Sequence, residues 1–293
     1  MLMLSFYYTA YIPSQKHTIK IKELNFCNYK NIVKIITNNN DALIEAAFND
    51  LIYDVTGYKH ETFTFLDKLI ILLTVRSVCI LSDIELVVTS PETEKTYNVS
   101  YRIYDIIQRL TSLNLAEHDT VIKIYNSILE VTFGLPSNLF IDKTNESLFA
   151  TIKQIKINDV DIPLNKDDII DRLPINVFKD AKVFLAEIEN KINGINLMSV
   201  TTPDISPDNA IEVPLTLIEN SVLEFLKLCY RRDLLSIYEL EYILTSKLKL
   251  PHDLVYNSTP AELMLYINFY NKEKSEQDKQ QKRSVMIGPP PNA

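Results

Sequence analysis

Four histidines, His17, His60, His118 and His252, are the side chains best suited to moving protons or binding metal near neutral pH. None has a second His or Cys at ligand spacing, which points to surface and loop roles. Two acidic pairs, Asp159 with Asp161 and Asp167 with Asp168, have the residue type for general acid–base work. The first flanks a hairpin turn and the second opens a helix, and aspartate is favoured at both places for backbone reasons alone. No serine stands in Gly-x-Ser-x-Gly. Cys27, Cys79 and Cys229 are odd in number and far apart, so they suggest neither a disulfide framework nor a metal knuckle. Buried free thiols in a reducing cytosol are the expectation. Phosphate-cradling loops need clustered glycines, and Gly57, Gly134, Gly194 and Gly288 are dispersed. The expectation is therefore no catalytic residue, no metal site, no cofactor and no small-molecule substrate.

The aromatic residues offer a different chemistry. The chain has sixteen tyrosines and twelve phenylalanines but no tryptophan. Aromatics interleaved with basic residues can stack nucleobases, but many here fall at core-periodic positions, Phe225 and Tyr266 among them. Tyrosine is also enriched where proteins touch. Tyr230, Tyr238, Tyr242 and Tyr256 cluster in the C-terminal part and are the candidate protein-contact residues. The net charge of −8 argues against nucleic-acid binding. The densest basic group, Lys272 to Arg283, is interrupted by Glu273, Glu276 and Asp278.

No stable membrane insertion is expected. The most apolar stretch, Phe65 to Leu81, carries Asp67, Lys68 and Arg76, leaving only Leu69 to Val75 between charges. Met1 to Tyr8 is apolar but lacks a basic n-region and a cleavage site, so no signal peptide is expected.

Periodicity supplies the elements. A strand over Leu2–Ile12, a Pro13-Ser14 turn and a strand over Thr18–Ile21 open the chain. Tyr29, Ile32, Val33 and Ile36 then recur at helical spacing, as do Ile44, Ala47, Phe48 and Leu51 after an Asn38–Asp41 break. Thr64 and Asp67 start a helix that is apolar all round, the mark of a central element, with Arg76 in a structural role at its end. The period drops to two over Ile84–Val88 and Tyr97–Tyr101, which predicts an antiparallel hairpin around Ser90-Pro91-Glu92. A short helix carries Ile103, Ile106, Ile107 and Leu110. Strands follow at Val121–Tyr125 and Leu129–Phe133, and a tight hairpin turns at Asn158-Asp159. Asn165 and Asp168 predict a helix start, Pro174 a stop, and Ala181, Phe184, Leu185 and Ile188 a longer helix.

The polar segment Ser199–Asn209, with Pro203 and Pro207, predicts a linker. The expected organisation is an α+β domain over 1–200, a linker over 201–209, an all-helical domain over 210–271, and a flexible or partner-ordered tail over 272–293. In the helical part, Ser236 with Glu239 and Thr259 with Glu262 both read as capping boxes. The fold class is α+β: helices with short antiparallel strands, followed by a C-terminal helical part.

Several of these features together resemble the baseplate hub family of T-even-type phages, which includes hub assembly proteins. Tyr11-Ile12-Pro13-Ser14, Ile21 and Glu23-Leu24 resemble that family's opening strand, turn and helix entry. Phe65-Leu66-Asp67-Lys68 through Leu72 to Ser77 resembles its central apolar helix ending in Arg, followed by the hairpin at Ile84–Tyr101. Asp167-Asp168 through Asp171-Arg172-Leu173-Pro174 resembles an acidic helix closed by Leu-Pro. Leu228–Leu240 and Thr259-Pro260-Ala261-Glu262 complete the match. Paired cysteines found between the hairpin strands of related hub proteins are missing from Pro91–Lys95, so no metal site carries over. The resemblance implies a non-enzymatic role in a contractile-tailed virion, in contact with other baseplate hub and tail spike proteins. The tail baseplate, and the host cytoplasm during assembly, are its implied locations. A hub assembly factor that leaves before maturity is the alternative.

Overall fold

The computed structural model describes residues 7–80, 83–89, 94–113, 120–140, 144–164, 169–193, 196–200, 211–214 and 221–286. The chain opens with a hairpin, β1 (Tyr7–Ile12) and β2 (His17–Lys22), joined by a 3-10 turn at Pro13–Gln15. Ala10, Ile12, Ile19 and Ile21 alternate inward, as period-two spacing dictates.

Two helices follow, α1 (Phe26–Thr37) and α2 (Asp41–Thr56). Asn25 caps the first through the amide of Asn28, and Asn40 caps the second through that of Leu43. The second helix ends at Gly57, whose φ of 75° favours a residue without Cβ.

α3 (Phe65–Cys79) is the axis of the fold, with thirteen of its fifteen residues buried. Thr64 and Asp67 close the expected capping box. Asp67, 0% exposed, also ties the opening hairpin to α3. Its carboxylate accepts from the Ser14 amide at 3.1 Å and hydroxyl at 2.5 Å, and from the Thr64 amide at 2.9 Å and hydroxyl at 2.7 Å. Such charge-assisted bonds offset the desolvation of a buried carboxylate.

The second hairpin, β3 (Asp83–Thr89) and β4 (Thr96–Arg102), leads into α4 (Ile103–Ser112), which packs on α3. Its expected Ser90-Pro91-Glu92 turn lies outside the described residues. Next comes an antiparallel sheet in the order β5 (Thr120–Tyr125), β6 (Leu129–Gly134), β7 (Ile152–Ile157), β8 (Val160–Ile162), with α5 (Asn145–Phe149) between β6 and β7. Asn158 and Asp159 turn the last hairpin at φ 51° and 64°, a left-handed geometry that Asn and Asp tolerate. α6 (Ile175–Asn193) covers the sheet through Phe184, which stacks on Phe133 at 6.3 Å. The helix start expected at Asn165 and Asp168 lies outside the described residues; a 3-10 turn at Ile170–Arg172 precedes α6.

The chain departs from expectation after α6. β9 (Asn196–Val200) and β10 (Ile211–Pro214) pair as an antiparallel hairpin. Ser199 thus lies in a strand rather than a linker, and the part after 209 is not all helix. The expected linker over 201–209 lies outside the described residues.

Helices α7 (Ser221–Tyr230), α8 (Leu234–Tyr242), α9 (His252–Asn257) and α10 (Pro260–Met286) complete the chain, with a π-helical segment at Ile243–Lys247. α7 packs on α1, α2 and α3, while α8 and α9 pack on α1. Thr259 and Glu262 form the expected box at the start of α10. The cap of α8 is Asp233, one turn before the expected Ser236: its carboxylate takes the amides of Leu235 and Ser236. A carboxylate there meets the positive end of the helix dipole, so it outcompetes a hydroxyl. Of the tail expected over 272–293, 287–293 lie outside the described residues, and Lys272–Met286 continues α10 as helix. The segment lacks an apolar face, but it is built from Lys, Glu and Gln, which form helix readily, and has no Pro or Gly.

Candidate protein-contact surface

Of the four candidate tyrosines, Tyr230 belongs to the core. Val222, Leu226 and Tyr230 recur every four residues on α7, so one face of that helix looks inward. Tyr230 is 0% exposed, its hydroxyl donates to the Leu72 carbonyl at 2.7 Å, and its ring meets Phe48 edge-on at 5.2 Å. Burial raises its pKa well above that of ordinary tyrosine. A surface-contact role for Tyr230 is therefore corrected to a packing role. Beside it, Arg76 donates from Nε to the Cys229 carbonyl at 2.6 Å, a structural use of that arginine.

The other three gather at the surface. Tyr238 and Tyr242 are one turn apart on α8, at 44% and 56% exposure. Leu235, at 64%, precedes them on the same face, giving an exposed stripe at positions 235, 238 and 242. Of the lysines beside that stripe, Lys30 and Lys34 come from distant sequence and Lys247 from the segment that follows α8. Lys30 of α1 sits 4.5 Å from the centre of the Tyr238 ring and Lys34 5.8 Å from it; Lys247 lies 5.9 Å from Tyr242.

Tyr256 buttresses this surface from α9. Lys30 forms an ion pair with the Glu241 carboxylate, and the Tyr256 hydroxyl donates to the same carboxylate. Burial acts to raise the Glu241 pKa, but the Lys30 and Tyr256 hydrogen bonds outweigh it and leave it below the ordinary range. The bond to Glu241, with burial second, pushes Tyr256 up to about 12. His252 stacks on the Tyr256 ring at 5.9 Å. Tyr256 therefore fixes α9 to α8 and so holds the stripe in place.

The residues weighed for catalysis are spread apart. Asp159 lies in a turn, and Asp161 accepts from Gln154 Nε2 at 2.7 Å. Asp167, Asp168 and His118 lie outside the described residues. His17 is exposed, while His60 lies 3.3 Å from the Lys68 ammonium. Lys68 is 1% exposed and donates to Asn49 Oδ1 at 2.8 Å; burial pulls its pKa down to about 8. Cys79 and Cys229 are buried, and burial pushes their thiols up to about 11 and about 12, away from reactive thiolate. Among the described residues, no group of three or more His, Cys, Asp or Glu is placed to hold a metal, and no helix is long and apolar enough to cross a membrane.

This is an α+β chain whose C-terminal helices carry an exposed aromatic stripe, the candidate contact surface. Residues 3–198 match the model of a family described as T4 bacteriophage base plate protein, and the chain belongs to that family. No curated protein and no solved structure matches it. The matched span includes Lys30 and Lys34 but ends before the α8 stripe. The sequence signal for Tyr238 and Tyr242 was their clustering. Lys30 and Lys34 carried no comparable signal, because only folding brings α1 against α8.

Proposed function

We propose that this chain is a non-enzymatic structural component of the baseplate hub of a contractile-tailed phage, holding other hub proteins and the tail spike. The family match carries this reading and supports a location in the virion tail baseplate; assembly in the host cytoplasm beforehand is part of the proposal. An aromatic stripe beside basic side chains suits such a role, because tyrosine supplies large contact area at low entropic cost. Phage carrying an amber codon in this gene are expected to accumulate no complete baseplates in electron micrographs of non-suppressing cells, with rescue by the wild-type gene. Normal baseplates without the protein would overturn the reading.

A further inference from the structure

The opening hairpin has two unlike faces. Period-two alternation turns Ala10, Ile12, Ile19 and Ile21 inward, where β1 packs on α3 and β2 on α2. The same alternation sends Tyr7, Thr9 and Tyr11 of β1 and Thr18, Lys20 and Lys22 of β2 to the outside, and all six are exposed. The register sets them in cross-strand pairs: Tyr7 with Lys22, Thr9 with Lys20, and Tyr11 with Thr18. Tyr7 is 53% exposed and Tyr11 41%, so two rings stand beside two ammonium groups on one surface.

The charge on this face has one sign. Lys20 and Lys22 carry it, and exposed Lys16 adds a third cation at the turn. No Asp or Glu occurs from Tyr7 to Lys22, although the whole chain has a net charge of −8. Among the described residues, none of the three lysines makes an ion pair. The acids that reach the hairpin meet its turn or its inward row, and each is engaged there. Asp67, 0% exposed, accepts from Ser14 and Thr64. Glu23 accepts from the Tyr8 hydroxyl at 3.1 Å. Glu262, whose charge also reaches Tyr8, accepts from the Thr259 amide at the start of α10.

Charge complementarity therefore selects an anionic occupant. Spacing narrows its form. Lys20 and Lys22 are two residues apart on one strand, about 6.7 Å, which is also the repeat of side chains along one face of an extended peptide. We infer that the outward face of the opening hairpin docks an extended acidic segment of a neighbouring protein, with a carboxylate on every second residue. The carboxylates pair with Lys20 and Lys22, and the Tyr7 and Tyr11 rings take the aliphatic part of the same side chains. A polynucleotide suits this face less well, because its dense phosphate charge meets the repulsion of the whole acidic chain. The hairpin lies within the span matched by the family model. The inference rests on the contact role proposed above and names the chemistry of one partner.

The test uses the purified full-length chain and a fluorescein-labelled peptide in which glutamate alternates with threonine, followed by anisotropy. Saturable binding that weakens with added salt is expected. The double variant Lys20→Glu with Lys22→Glu is expected to lower the affinity about tenfold or more. Tyr11→Thr, which keeps a strand-forming residue, is expected to weaken binding as well. These side chains are exposed, so circular dichroism should be unchanged. Lys272→Glu, on the exposed part of α10, is expected to bind like the wild type. Absence of saturable binding, wild-type affinity in the double variant, or equal binding of a lysine-for-glutamate peptide would overturn the inference. So would tighter binding of a single-stranded oligonucleotide, which would assign the face to phosphates and bases. The baseplate role is tested separately in particles, so a chain found there that ignores the peptide would lose only this partner.

Discussion

The hydroxyl of Tyr230 donates to the backbone carbonyl of Leu72 at 2.7 Å, joining α7 to the middle of the central helix across 158 residues of sequence. Tyr230→Phe is expected to cost about 1–2 kcal/mol through loss of that buried bond. Tyr230→Ala adds the lost contact with Phe48 and an unfilled volume, for a total of about 3–5 kcal/mol. Urea denaturation measures both, and an unchanged midpoint in Tyr230→Ala would contradict the core assignment.

Asp67 binds two segments with one carboxylate. Asp67→Asn places an amide nitrogen among donors from Ser14 and Thr64, and should destabilise by about 2–4 kcal/mol. Thr64→Ala removes only the cap side and should cost about 1 kcal/mol. Thermal melts should rank them in that order; equal losses would show that the Ser14 bonds contribute nothing.

Lys68 gives a pH signature. Its pKa falls to about 8 in the folded chain, because of burial, from about 10.4 when unfolded. Between those values the unfolded state binds more protons, so this group's contribution to stability rises with pH and is lost as pH falls through about 8. Lys68→Met should therefore be more stable near neutral pH, by about 1–3 kcal/mol, and should lack the rise between about pH 8 and 9. Above that range the buried cysteines and tyrosines oppose the trend, since their raised pKa values favour the protonated folded state. Urea midpoints at two pH values decide it: identical slopes in both proteins would refute the assignment.

The α8 stripe should be separable from stability. Leu235→Glu and Tyr242→Glu alter exposed side chains and should change unfolding free energy by no more than about 0.5 kcal/mol each. The double variant should nonetheless fail to restore baseplates in the amber-mutant background. Full restoration would show that the stripe touches no partner.

Much of the fold was legible because local rules and tertiary demands agree. Thr64 with Asp67 and Thr259 with Glu262 are capping boxes in both sequence and structure. Asn158-Asp159 supplies the left-handed turn that a tight hairpin needs. The departures have physical causes. Tyr230 and Tyr238 are alike as residues and close in sequence, yet one faces α3 and the other solvent, a difference set by helix phase. Asp233 displaced Ser236 as a cap because a carboxylate is the stronger acceptor. The β9–β10 pairing depends on two short strands that composition hardly marks. The proposed contact surface was half legible: the tyrosines cluster in sequence, but Lys30 and Lys34 reach Tyr238 only through the packing of α1 on α8.

The most direct test of the structural baseplate role is quantitative mass spectrometry of purified particles and isolated baseplates. A structural component should appear in both, at a few copies per particle by analogy with other small assembly centres built on closed symmetry. Absence from mature particles, with presence in assembly intermediates, would contradict that role and identify the protein as an assembly factor of the hub.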